Sequence, residues 1–109
     1  MKITFTESAN DITLDIDGHA HADENGNQVP CGKVTILSQT LALRVSQFVP
    51  EELIEYSGSQ GQFHLKVDVL SMELSEAKRI LNEYEFCLSG LKLTLRQHPG
   101  IFTLNVVRA

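Results

Sequence analysis

The hydrophobic period of this chain switches from two to between three and four and back, twice over. Ile12, Leu14 and Ile16 alternate with Asp11, Thr13, Asp15 and Asp17, which gives a strand one apolar face. Ile3 and Phe5 alternate with Lys2, Thr4 and Thr6 in the same way. From Val34 the spacing becomes helical. Val34, Leu37, Leu41, Val45 and Phe48 form a stripe, widened by Ile36 and Leu43, which predicts a mostly buried helix over 30–48. Pro30 suits its first turn, where a missing N–H has no partner to lose, and Pro50 stops it. Phe63, Leu65, Val67 and Val69 then alternate with His64, Lys66 and Asp68 in the clearest strand of the chain. Leu74, Ala77, Leu81, Tyr84, Leu88, Leu91 and Leu95 recur at helical steps, predicting a second helix over 71–97 that "HPG" (98–100) ends. A short strand at 53–56, a turn at "SGSQG" (57–61) and a last strand at 101–107 complete the order β-β-α-β-β-α-β. Such an order predicts an α+β fold: a two-layer sandwich in which two helices cover an open, mostly antiparallel sheet.

A chain of 109 residues is expected to form one domain over 1–109 and to bury roughly two-thirds of its extended surface. With 42% hydrophobic and 21% charged residues, the composition is that of a folded globular protein rather than a disordered one. No apolar run nears the roughly 20 residues that cross a bilayer. The start, MKITFTESAND, lacks the apolar segment of a signal peptide, so the expectation is a cytoplasmic protein with no membrane contact. Nine Lys and Arg against fourteen Asp and Glu leave a net charge of −5, and no basic cluster interrupts it. Direct nucleic-acid binding, which needs cations against phosphates, is not expected. Cys31 and Cys87 make no disulfide framework and are read as free thiols in a reducing compartment.

Chemistry is concentrated in "GHAHADENGNQVPCGK", residues 18–33. If the second strand persists that far, His19 and His21 fall on its polar side with Asp15 and Asp17. The stretch 23–27 (DENGN) holds an Asn-Gly turn signal, and Cys31 then opens the first helix. Backbone N–H groups in a helix's first turn have no intrahelical acceptor, and the dipole places positive charge there. Thiols gain reactivity in such a field, to which Lys33 would add, and the free N–H groups can receive a developing oxyanion. His19, at the end of a strand joined to the helix by one loop, is the candidate base. The same residues also fit a buried small thiol and a surface histidine, so spacing alone leaves the chemistry open. A metal site built from His19 and His21 with Cys31 or Asp23 is a further reading, without Cys-x-x-Cys or His-x₃-His spacing to support it. His64 and His98 read as surface or helix-end residues, and Cys87 as an inert core thiol.

Gly18-His19-Ala20 at a strand end, with Cys31 twelve residues beyond the histidine, resembles the ribosomal-processing cysteine proteases, the Prp or YsxB-like family. The helix "VTILSQTLALRV" and the ending "GLKLTLRQHPGIFTLNV" are similar to that family's helix and last strand. The resemblance implies a homodimeric α+β protein, bacterial or phage-encoded, that needs no cofactor. It removes a short N-terminal extension from a large-subunit ribosomal protein, or acts likewise on a phage capsid or scaffold protein. Cys31 is then the nucleophile and His19 the general acid/base, with Gly18, Ala20, Gln28, Gly32, Lys33 and Thr35 in support. The chain departs from the family at Gln28, where an Asp is usual, at Lys33, where a small residue is usual, and at Pro30, where an aliphatic is usual. Thr35 keeps the hydroxyl of the family's serine. The departures at Gln28 and Lys33 favour, modestly, a second reading: a non-catalytic relative that binds a ribosomal or capsid precursor. Ile36 and Leu43 on the first helix and Ile80 on the second lie off the main stripes, a surplus of apolar surface that predicts a partner copy.

Overall fold

Ser8 makes the first turn: its Oγ accepts the N–H groups of Asn10 and Asp11, each at 3.2 Å. That folds β1 (Lys2–Glu7) back on β2 (Asp11–Asp17) as an antiparallel pair, with Ile3 opposite Ile16 and Phe5 opposite Leu14. In this computed structural model residues 1–18, 29–59 and 61–109 are described, with only the backbone of Val29 and Pro30. The chain continues through α1 (Val29–Phe48), one turn of 3-10 helix (Glu51–Leu53), β3 (Ile54–Ser59), β4 (Gln62–Asp68), α2 (Leu74–Gln97) and β5 (Thr103–Arg108). Five strands form one sheet in the order β3-β4-β2-β1-β5. All neighbours are antiparallel except β1 and β5, which run parallel with Ile3 opposite Leu104. The predicted α+β sandwich of two helices on an open, mostly antiparallel sheet is therefore the fold observed.

Alternation decides which face is covered. Ile3, Phe5, Ile12, Leu14, Ile16, Phe63, Leu65 and Val67 are buried on one face of the sheet, against Val34, Leu41 and Val45 of α1 and Tyr84, Leu88 and Leu91 of α2. Tyr84 is the largest fully buried side chain. Its ring stands 6.1 Å from that of Phe5, its hydroxyl donates to the Leu65 carbonyl at 3.0 Å, and burial pushes its pKa up. The helices meet closely at Gly90, where a Cβ would come within 2.5 Å of a Leu37 methyl carbon. Arg44 and Glu83 bridge them at 2.6 Å. On the opposite, solvated face His64 bonds Asp15 at 2.5 Å through Nδ1 and Glu55 at 3.1 Å through Nε2, joining three adjacent strands.

Several boundaries differ from those expected. "SGSQG" is not all turn: Ser57, Gly58 and Ser59 belong to β3, paired with His64, Phe63 and Gln62. The second helix starts at Leu74 rather than Ser71, and Leu74 is exposed instead of lying on the buried stripe. Ile80, expected to be surplus, is core at 2% exposure, whereas Ile36 and Leu43 are exposed at 68% and 61%. The last strand starts at Thr103, preceded by buried Ile101 and Phe102. Any continuation of β2 to His19 and His21, and the turn at 23–27, lie outside the described residues. Among those described, no helix is long and apolar enough to cross a membrane.

Candidate active site

Cys31 is the third residue of α1 and half-buried, packed against the edge of the core. Its own N–H has no intrahelical acceptor, because hydrogen bonding within a helix starts a full turn later, and Pro30 before it has no N–H to offer. Hydroxyl groups brace the turn that follows. Thr35 Oγ1 donates to the Cys31 carbonyl at 3.0 Å, and Ser38 Oγ donates to the Val34 carbonyl at 2.9 Å.

Gly18 follows β2 with φ +88°, a left-handed conformation that side chains disfavour. Its N–H donates to the carbonyl of Gly61 at 2.7 Å, and Gly61 itself has φ +80°. The two glycines thus fasten the end of β2 to the turn before β4. A Cβ on Gly18 would also approach Met1 Cα to 3.4 Å. The consequence is a convergence of elements. Gly18, Cys31, Thr35, Ser59 and Phe63 line one open cavity of about 300 Å³.

Lys33, in the same first turn, reaches across to α2. Its Nζ donates to Gln97 Oε1 at 2.9 Å and to His98 Nε2 at 3.2 Å, which fixes that ring nitrogen as the acceptor. An ammonium at the C-terminal end of α2 meets the negative end of the helix dipole, so Lys33 ties the first turn of α1 to the last turn of α2. This contact, and the bridging of Asp15 and Glu55 by His64, were not foreseen. His98 offered one signal, as a helix-end residue able to meet a cation. Gly32 is exposed, and a Cβ there would meet no described atom within 4 Å. Cys87 is the other thiol, buried with its Sγ 3.6 Å from the Leu37 carbonyl; burial pushes its pKa up to about 12.

Of the residues singled out from sequence, the structure brings Gly18, Cys31 and Thr35 to one cavity and directs Lys33 to α2. His19, Ala20, His21, Asp23 and Gln28 lie outside the described residues. Among the described residues, no group of three or more His, Cys, Asp or Glu is placed to hold a metal ion.

The family model described as "Cysteine protease Prp" matches residues 1–98. Among solved structures, the chain is similar to the essential ribosomal processing protease Prp from S. aureus in complex with a covalently linked product peptide. That likeness has 20% identity over 96% of this chain and 97% of the other, with a TM-score of 0.69. The same S. aureus protease in complex with a substrate peptide gives 14% identity, equal coverage and a TM-score of 0.71. SMU.848 from Streptococcus mutans gives 18% identity over 99% of this chain and 94% of that one, with a TM-score of 0.65. At these identities the likenesses show a shared fold. No curated protein matches the chain.

Proposed function

Because the chain belongs to the cysteine protease Prp family, we propose that it is an endopeptidase that removes a short N-terminal extension from one specific protein. A large-subunit ribosomal protein is favoured over a phage capsid or scaffold protein, since the solved structures similar to it include a ribosomal processing protease. The observation that carries this reading is the cavity shared by Gly18 and Cys31, because His19 is covalently next to Gly18.

Cys31 Sγ attacks the scissile carbonyl carbon, and the N–H groups in the first turn of α1 hold the oxyanion that forms. His19 gives its proton to the departing amine as the C–N bond breaks, leaving a thioester on Cys31. Water, deprotonated by His19, then hydrolyses that thioester and restores the thiolate. Thr35 braces the Cys31 turn through its carbonyl. Ala20, Gln28 and Gly32 are supporting residues, and Lys33 ties the turn to α2. Residues 1–109 work as one domain, in the cytoplasm, as a homodimer and without a cofactor, nucleic acid or membrane.

Co-expression with an N-terminally extended large-subunit ribosomal precursor, read by intact mass, tests the reading. Wild type shortens the precursor, Cys31→Ser leaves it full length, and His19→Ala slows cleavage by roughly 10²–10⁴-fold, the usual contribution of a general acid/base. Undiminished cleavage by Cys31→Ser contradicts the mechanism. Stable co-purification of a precursor that wild type never shortens favours the non-catalytic relative.

A further inference from the structure

The cavity at Cys31 does not end there. Gln39 lines both it and a larger groove of about 690 Å³, which runs along α1 past Ala42, Leu43 and Ser46 and along β3 past Tyr56 and Ile54. Ser59, at the far end of β3, borders the Cys31 cavity, so the strand's whole length flanks this path. Edge position matters here. β3 pairs with β4 on one side, and among the described residues no strand pairs with it on the other. A strand edge presents a row of N–H and C=O groups that another extended chain can complete.

Its side chains divide in a way that suits such a guest. By register with Val67, Leu65 and Phe63, the residues Ile54, Tyr56 and Gly58 face the helix layer, and Glu55, Ser57 and Ser59 face the solvated side. Gly58 has no side chain because the Tyr56 ring occupies that space: a Cβ there would fall 2.6 Å from the Tyr56 hydroxyl oxygen. The ring lies edge-on to Phe63 at 5.6 Å and remains 48% exposed, a half-covered apolar wall beside Leu43 at 61%.

We propose that the groove between α1 and the free edge of β3 holds an extended segment of the peptide substrate as a sixth strand, its scissile end at Cys31 and its alternate apolar side chains turned in against Tyr56, Ala42 and Leu43. Main-chain pairing with β3 supplies affinity, and the inward wall selects the side chains. Six residues of β3 make room for about 20 Å of guest strand. The inference rests on Cys31 as the reacting group, but its test needs only a thiol at the mouth of the groove.

That test is disulfide capture on the full chain: each probe is supplied as its mixed disulfide with 2-mercaptoethanol, exchanged onto Cys31 with release of that thiol, challenged with added 2-mercaptoethanol and mapped by mass. Two probes are used, acetyl-Val-Thr-Val-Thr-Val-Cys-amide and acetyl-Cys-Val-Thr-Val-Thr-Val-amide, against a Ser/Gly peptide of equal length. In at least one polarity the Val/Thr probe should resist reductant about tenfold better than the control, the scale of a few added strand contacts. N-methylation of the alternate amides on one edge of the probe should erase that gain. Gln39→Trp, which fills the junction of the two cavities from an exposed position, should erase it too. Gln47→Trp, exposed on the same helix but outside the groove, should keep it. Capture no better than the control in both polarities, or equal effects of the two tryptophans, overturns the proposal. A gain seen only below the concentration at which the chain self-associates assigns the edge to a second copy and overturns it as well. Failure of the peptidase reading alone, with Cys31→Ser still cleaving, would leave the capture of wild type intact.

Discussion

At the scale of single residues, the two thiols are separated by their surroundings rather than by their sequence neighbours. Cys31 is partly exposed at the start of α1, and Cys87 is buried with its pKa raised to about 12 by desolvation. Iodoacetamide at pH 7, followed by peptide mapping, should therefore label Cys31 in the folded protein and reach Cys87 only on unfolding. Equal labelling of both without denaturant would contradict the assignment. The position of Cys31 was legible because helix starts have local signals: a proline, a change of period, a turn-rich stretch before it. The task of Lys33 was not. Its partners Gln97 and His98 stand 64 and 65 residues along the chain, and no local pattern announces a contact of that range. The solvated His64 bridge is a similar case, since Asp15 is 49 residues away and becomes a neighbour only once β2 and β4 pair.

At the scale of elements, strands with strict alternation and the interiors of both helices were readable, while β3 was only half so. Ser57, Gly58 and Ser59 carry turn chemistry and little strand preference. They are extended because pairing with β4 overrides propensity, which measures fit to a sheet more than an intrinsic backbone choice. His64 makes that pairing sensitive to pH. Its hydrogen bond to Asp15, and then that to Glu55, raise its pKa from the ordinary 6.5. The stabilisation is thus fully present below about pH 6.5, the value in the unfolded chain, and is lost as pH rises through the higher folded value. Denaturant midpoints of wild type and His64→Gln should differ most near pH 5.5 and converge in alkaline buffer; a gap that widens with pH would contradict the bridge. Within the core, Tyr84→Phe removes the donor to the Leu65 carbonyl and should cost about 1 kcal/mol, the net worth of one such bond, read as a fall in urea midpoint at unchanged slope.

At the scale of the whole molecule, the helix layer leaves Ile36, Phe86 and Leu93 exposed at 68%, 80% and 52%. Of Ile36, Leu43 and Ile80, whose spacing predicts a partner copy, Ile80 is turned into the core by α2. What remains on the outer face still predicts a dimer: light scattering at micromolar concentration should give twice the 12.1 kDa chain mass, and Phe86→Glu should return it to the monomer. A monomeric wild type would contradict this. Covalent catalysis by Cys31 leaves an acyl-enzyme that can be trapped. Wild type mixed with an N-terminally extended large-subunit ribosomal precursor, quenched in acid during turnover and digested, should yield the Cys31 peptide carrying the cleaved extension as a thioester. Cys31→Ser should yield no shortened precursor under the same conditions. Precursor shortened at the wild-type rate by Cys31→Ser would rule out Cys31 as the nucleophile.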